Sequence, residues 1–125
     1  MICLAAGMIA ASLAVDAFTL AWTHSIEKIR WEEDWRIVAG ALVLDEARIR
    51  GTGAGMEPPE GAQLKDGVWH YRPAIAPQKQ LRLSHSPFVA GYEMCSAGTC
   101  RPLAAYLPGM SDAAVIEISA CAPPE

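Results

Sequence analysis

Charge is scarce in this chain, and positive charge scarcer than negative. Charged residues make up 19%, with 10 Lys and Arg against 14 Asp and Glu, for a net charge of −4. There is no Lys/Arg run and no basic amphipathic helix. Nucleic acid is therefore excluded as a partner, because phosphate binding needs a basic surface, and any relation to a membrane is indirect. Catalytic signatures are missing too. GTGAGM, Gly51 to Met56, lacks the Lys-Ser/Thr that completes a phosphate loop, and no strand–helix alternation supports a dinucleotide fingerprint. No strand–turn–helix elbow exposes a nucleophile. No catalytic residue is assigned, the protein reads as a non-enzyme, and no cofactor is expected. The apolar start, MICLAAGMIAASLAV, is too short to span a bilayer and lacks the positive charge of an export signal. It reads as a strand, a bend at Gly7 and the start of a second strand, the other reading being a vestigial export or anchor segment.

What is present is apolar and extended. Hydrophobic residues make up 52% of 125 residues, enough for one domain, residues 1–125, with a real core. Helix signals are few. Phe18, Leu20, Trp22 and His24 repeat with a period of two, and Trp31, Glu33, Trp35 and Ile37 do the same with Glu32, Asp34 and Arg36 on the opposite side. HSIEKIR between them is a hairpin connection, and Ala39-Gly40 marks the next turn. ALVLDEARIR, VWHYRP, KQLRLSH, GYEMC, CRPLAAYL and AVIEISA read as further strands. With nine prolines at the breaks, the pattern predicts an all-β fold, a single antiparallel β-sandwich or small barrel with short hairpins and little or no helix.

The four cysteines permit three pairings. Cys95 and Cys100 bracket the turn-forming SAGT, and Cys3 and Cys121 lie near the two ends of the chain, which are often neighbours in space. Cys95–Cys100 and Cys3–Cys121 are the expected bonds, pointing to a periplasmic or otherwise oxidising location. The alternatives are reduced thiols in a cytoplasmic protein, or zinc, which the spacing supports poorly.

Candidate binding residues gather in two segments. His24 and Ser25 point to opposite faces of an extended chain, which argues against a hydrolytic triad with Glu27. His24, with Ser25 and Glu27 at a hairpin turn and Trp22 and Trp31 as an apolar wall, could orient a ligand instead; Trp22, Trp31 and Trp35 are otherwise core. The loop Gly53, Ala54, Gly55 and Met56 could offer backbone amides to a carboxylate, or serve only as a bulge or tight turn. A metal bound by His24, Glu27 and Glu33 is the alternative reading.

The segments WTHSIEK, RWEEDWR, RIRGTGAGMEPP, DGVWHYRP and MCSAGTCRPL resemble the bacterial family known as domain of unknown function 1850, with Ile26 where the family's motif has Val. By motif, the family's characteristic positions map onto His24, Ser25, Glu27, Trp31, Glu33, Gly53, Ala54, Gly55, Met56, Cys95 and Cys100. The family has no assigned reaction. The resemblance implies an accessory of a tripartite (TRAP) uptake transporter of the TAXI type, whose substrates are small organic acids and amino acids. The implied partners are such transporter proteins or a small organic acid. A third reading is a purely structural interaction domain.

Overall fold

Alternating apolar and polar residues become strands along nearly the whole chain, because a two-residue period gives each strand one face to bury. The computed structural model describes residues 1–23, 29–50, 61–87 and 91–122. Its strands are β1 (Ile2–Ala6), β2 (Ile9–Leu13), β3 (Ala17–Thr23), β4 (Arg30–Val38), β5 (Ala41–Arg50), β6 (Gln63–Lys65), β7 (Val68–Tyr71), β8 (Gln80–His85), β9 (Glu93–Ser96), β10 (Thr99–Pro102) and β11 (Ala114–Ala120). A single helical turn, α1 (Leu103–Tyr106), is the only helix among the described residues. Two antiparallel sheets form: a four-stranded one in the order β2-β1-β11-β8 and a seven-stranded one in the order β10-β9-β3-β4-β5-β7-β6. Neither closes on itself, so the sandwich is the architecture and the small barrel is not.

The core lies between the sheets. Ile2, Leu4, Ile116 and Ile118 come from the four-stranded sheet, and Phe18, Leu20, Trp35, Leu42 and Met94 from the seven-stranded one, all within one buried cluster. Each such side chain contributes about 1.5–3 kcal/mol by leaving water. Both expected disulfides are present. Cys3–Cys121 joins residues 118 apart in sequence, and Cys95–Cys100 links directly opposed residues of β9 and β10. Two such bonds are compatible with an oxidising, extracytoplasmic location.

Three local features differ from what the sequence pattern suggests. The apolar alternation from Leu13 to Phe18 looks continuous in sequence, yet the chain changes sheets there: β2 ends at Leu13, and β3 begins at Ala17 in the other sheet. The inward parity switches from odd (Ile9, Ala11, Leu13) to even (Phe18, Leu20) across Asp16, whose carbonyl accepts the Ile37 N–H at 2.8 Å. CRPLAAYL is a strand only as far as Pro102. With no N–H, Pro102 cannot extend the ladder, and α1 then carries Leu103 into the core, with Leu107 just beyond it. A short strand was also missed at Gln63–Lys65. It pairs with β7 across a two-residue turn in which Asp66 and Gly67 both have positive φ, 51° and 78°. The signal was the Asp-Gly step between apolar residues, the strongest short-range hairpin mark.

Candidate functional site

Register alone assembles the inner face of the seven-stranded sheet. On β4 the inward residues are Trp31, Glu33 and Trp35. Trp35 opposes Phe18 of β3, Glu33 opposes Leu20, and Trp31 opposes Trp22. On the other side, Glu33 faces Ala47 and Trp31 faces Ile49, which in turn meet Tyr71 and Trp69 of β7. Keeping Ala47 and Ile49 on the same face as Leu42 and Leu44 requires a shift of parity. A bulge provides it: Trp35 pairs with Leu44 and Asp34 with Glu46, so Asp45 has no opposite residue.

The result is an aromatic end to the sandwich. Trp22 and Trp31 stack with centroids 6.1 Å apart and planes 16° from parallel, and Tyr92 leans on Trp22 at 5.7 Å. The Trp31 indole Nε1 is buried and has no hydrogen-bond partner among the described residues. A buried donor left unpaired costs about 1–3 kcal/mol. Immediately beyond this row, Thr23 and Arg30 face each other, and Arg50 follows Ile49, so this end of the sheet is where the chain leaves for segments 24–28 and 51–60.

Glu33 sets a carboxylate on this inner face. Its carboxylate accepts a hydrogen bond from Trp35 Nε1 at 3.2 Å. Burial pushes its pKa up, and the Trp35 bond opposes that only in part. Burial, and next the Glu33 charge, raise both Tyr71 and Tyr92. An acid whose pKa is raised on folding contributes stability below its unfolded pKa and loses it as pH rises through the folded value. Glu33 therefore opposes the folded state at neutral pH. In Glu33→Gln the amide oxygen still accepts from Trp35, so the variant is expected to melt at a higher temperature than the parent near neutrality. The gap should close towards acid pH, and thermal melts across that range would read it. A gap that stayed constant with pH would place Glu33 in water instead.

The outer face of the same sheet carries the opposite chemistry. Arg48 grips Asp34 through two bonds of 2.6 and 2.7 Å, and Thr19 Oγ1 donates to the same carboxylate at 2.7 Å. The Arg48 bond, reinforced by the Thr19 hydroxyl, holds Asp34 below the usual carboxylate range against the opposing effect of burial. Its stabilising effect is present above its unfolded pKa and lost as pH falls through the folded one, the reverse of Glu33. Arg30 bridges Glu32 at 3.3 Å and Glu93 at 2.9 Å, and both acids oppose the fully buried Ala21 in register. His70 meets Glu46 on β5. This lattice of paired charges rivets β9, β3, β4, β5 and β7 together.

The structure thus brings Trp22, Trp31 and Glu33 together on one face. His24, Ser25, Glu27, Gly53, Ala54, Gly55 and Met56 lie outside the described residues. Of the alternative metal set, Glu33 alone is described, and its partner is the Trp35 indole; among the described residues no cluster of three His, Cys, Asp or Glu could hold a metal. Tyr71 and Tyr92 escaped the sequence reading. Tyr92 shares a strand period with Met94, but that it neighbours Trp22 depends on β9 joining β3, a pairing across more than seventy residues of sequence.

A protein-family comparison matches residues 18–103 to a domain of unknown function, DUF1850. No curated protein and no solved structure matches the chain. The matched span runs from the first residue of the Phe18–Leu20–Trp22 period to the buried Leu103 of α1, taking in the seven strands of the larger sheet except Ala17 and more than half of the chain, and the protein belongs to the DUF1850 family.

Proposed function

We propose that this protein is a non-enzymatic, periplasmic accessory of a TAXI-type TRAP uptake transporter, and that it binds a small organic anion at the aromatic end of the seven-stranded sheet. The transporter association rests on the family resemblance. The binding site rests on one observation above the others: Trp31 Nε1 is a buried donor without an acceptor among the described residues, beside the Trp22–Trp31 stack. Stacked indoles offer an apolar wall, and an unpaired N–H beside them suits a carboxylate oxygen, the combination of mostly apolar lining and few polar groups that small-ligand sites use. His24, Ser25 and the Gly53–Met56 amides flank this end of the sheet in sequence and would supply further donors.

Tryptophan fluorescence titrated with succinate and with glutamate tests the reading. A saturable change is expected, because a ligand against Trp22 and Trp31 alters the environment of both rings. In Trp31→Phe, which keeps the ring face and removes the N–H, affinity should fall about tenfold or more, the worth of a hydrogen bond to a charged group. No saturable response to either acid, or equal affinity in Trp31→Phe, would defeat the assignment.

A further inference from the structure

The four-stranded sheet ends in two edges of different character. β8 is guarded, with Lys79 just before it and Arg82 and His85 within it. β2 is not: Gly7 to Val15 contains no charged residue and no proline, so none of its own residues blunts its outward row of backbone groups. Ala6 pairs with Ile9 across a two-residue turn, so Ile9, Ala11 and Leu13 exchange hydrogen bonds with β1 while the N–H and C=O of Ala10 and Ser12 point away from the sheet. No backbone bond among the described residues uses those outward groups.

We infer that β2 is a homodimerisation edge, where a second copy of this chain adds its own β2 antiparallel about a two-fold axis at Ala11. The register follows from the geometry. Only the outward-pointing residues can form hydrogen-bonded pairs across the new edge, and an axis at Ala11 sets Ala10 against Ser12 of the partner copy and Ser12 against its Ala10. That gives about four new backbone bonds. Ala11 then faces its own counterpart, and Ile9 faces Leu13 of the partner copy. All of these lie on the half-buried inward face, so the two cores join beneath a continuous eight-stranded sheet.

The same register gives an exposed side chain a partner. Met8, at the tip of the β1–β2 turn, is 100% exposed. The two-fold places it opposite Ala14 of the partner copy, where Met1, Ala14, Val15 and Asp16 line an open hollow of about 490 Å³. Each copy carries one knob and one hollow, disposed symmetrically about Ala11. A self-complementary edge of this kind selects a second copy rather than an unrelated strand.

Sedimentation analysis of the oxidised protein across micromolar to near-millimolar concentration tests this. A reversible monomer–dimer equilibrium is expected. Ser12→Pro removes an outward N–H that β1 does not use, and Met8→Glu sets a carboxylate beside Asp16 of the partner copy. Each should weaken the dimer about tenfold or more. Because Met8 is fully exposed, Met8→Glu should leave the melting temperature of the dilute monomer unchanged, which keeps the test valid even if Ser12→Pro fails to fold. A parent protein that stays monomeric throughout, or a Met8→Glu variant that dimerises as tightly as the parent, overturns the proposal.

Discussion

Replacing Cys3 and Cys121 together by serine is expected to lower the stability of the oxidised protein by about 4–5 kcal/mol, the larger of the two disulfide effects. The bond spans 118 residues, so it denies the unfolded chain almost all of its end-to-end freedom. Loop-closure entropy grows only with the logarithm of loop size, but a loop of this length stands near the top of that scale. Cys95–Cys100 spans 5 residues, and the same relation assigns it about 2 kcal/mol. Location in the fold reinforces the contrast. Cys3 sits in β1, an interior strand whose residues Ile2 and Leu4 are wholly buried, and Cys121 directly follows β11, the strand that pairs with β1, with its N–H on the Met1 carbonyl at 3.0 Å. Cys100 lies on the exposed edge strand β10. Urea unfolding of the two double serine variants, each with its remaining bond intact, reads the difference directly. If losing Cys95–Cys100 cost as much as losing Cys3–Cys121, chain entropy would not be what these bonds supply.

How much of this was legible beforehand depends on how far each feature reaches. The period of two in Phe18–Leu20–Trp22 and Trp31–Glu33–Trp35 is local, and it put three indoles on one face before any coordinates. Turn chemistry is also local, and Ala39-Gly40 turns the chain as read, both residues having positive φ. The sheet switch at Asp16 is a different matter. Alternation continues through it with a changed parity, and only the partner strands reveal that β2 and β3 belong to different layers. The bulge at Asp45 left a trace, since the inward residues change from Leu42 and Leu44 to Ala47 and Ile49, but reading it requires knowing that all four face one core. The outer charges show the same limit. Glu32, Asp34 and Arg36 were placed outward from the sequence, yet that Arg48 rather than a nearer arginine holds Asp34 follows from the pairing of β4 with β5. Of the residues named for the site, Trp22 and Trp31 share one face as their period indicated, and those of His24–Glu27 and Gly53–Met56 lie outside the described residues.

Trp35 is the residue where core and site meet, and its substitution separates their energetics. It is 4% exposed and packed within the main cluster. Trp35→Ala is accordingly expected to cost about 3–5 kcal/mol, through lost burial and the cavity left behind. Trp35→Phe keeps most of the apolar area and removes the N–H that Glu33 accepts, so its cost has a second source. The half-buried carboxylate loses its indole donor, and burial, already the main influence on Glu33, acts with less opposition. That part of the loss exists only while Glu33 is ionised, since a protonated carboxyl needs much less from a donor. The deficit of Trp35→Phe relative to the parent should therefore be larger at neutral pH than in acid, whereas the Trp35→Ala deficit keeps a large remainder at every pH because the cavity does not titrate. In a Glu33→Gln background the pH dependence of the Trp35→Phe deficit should vanish. Calorimetric melts of the three variants against their parents measure all of this. A Trp35→Phe deficit independent of pH would mean that the indole matters to Glu33 only as a neighbour and not as a donor.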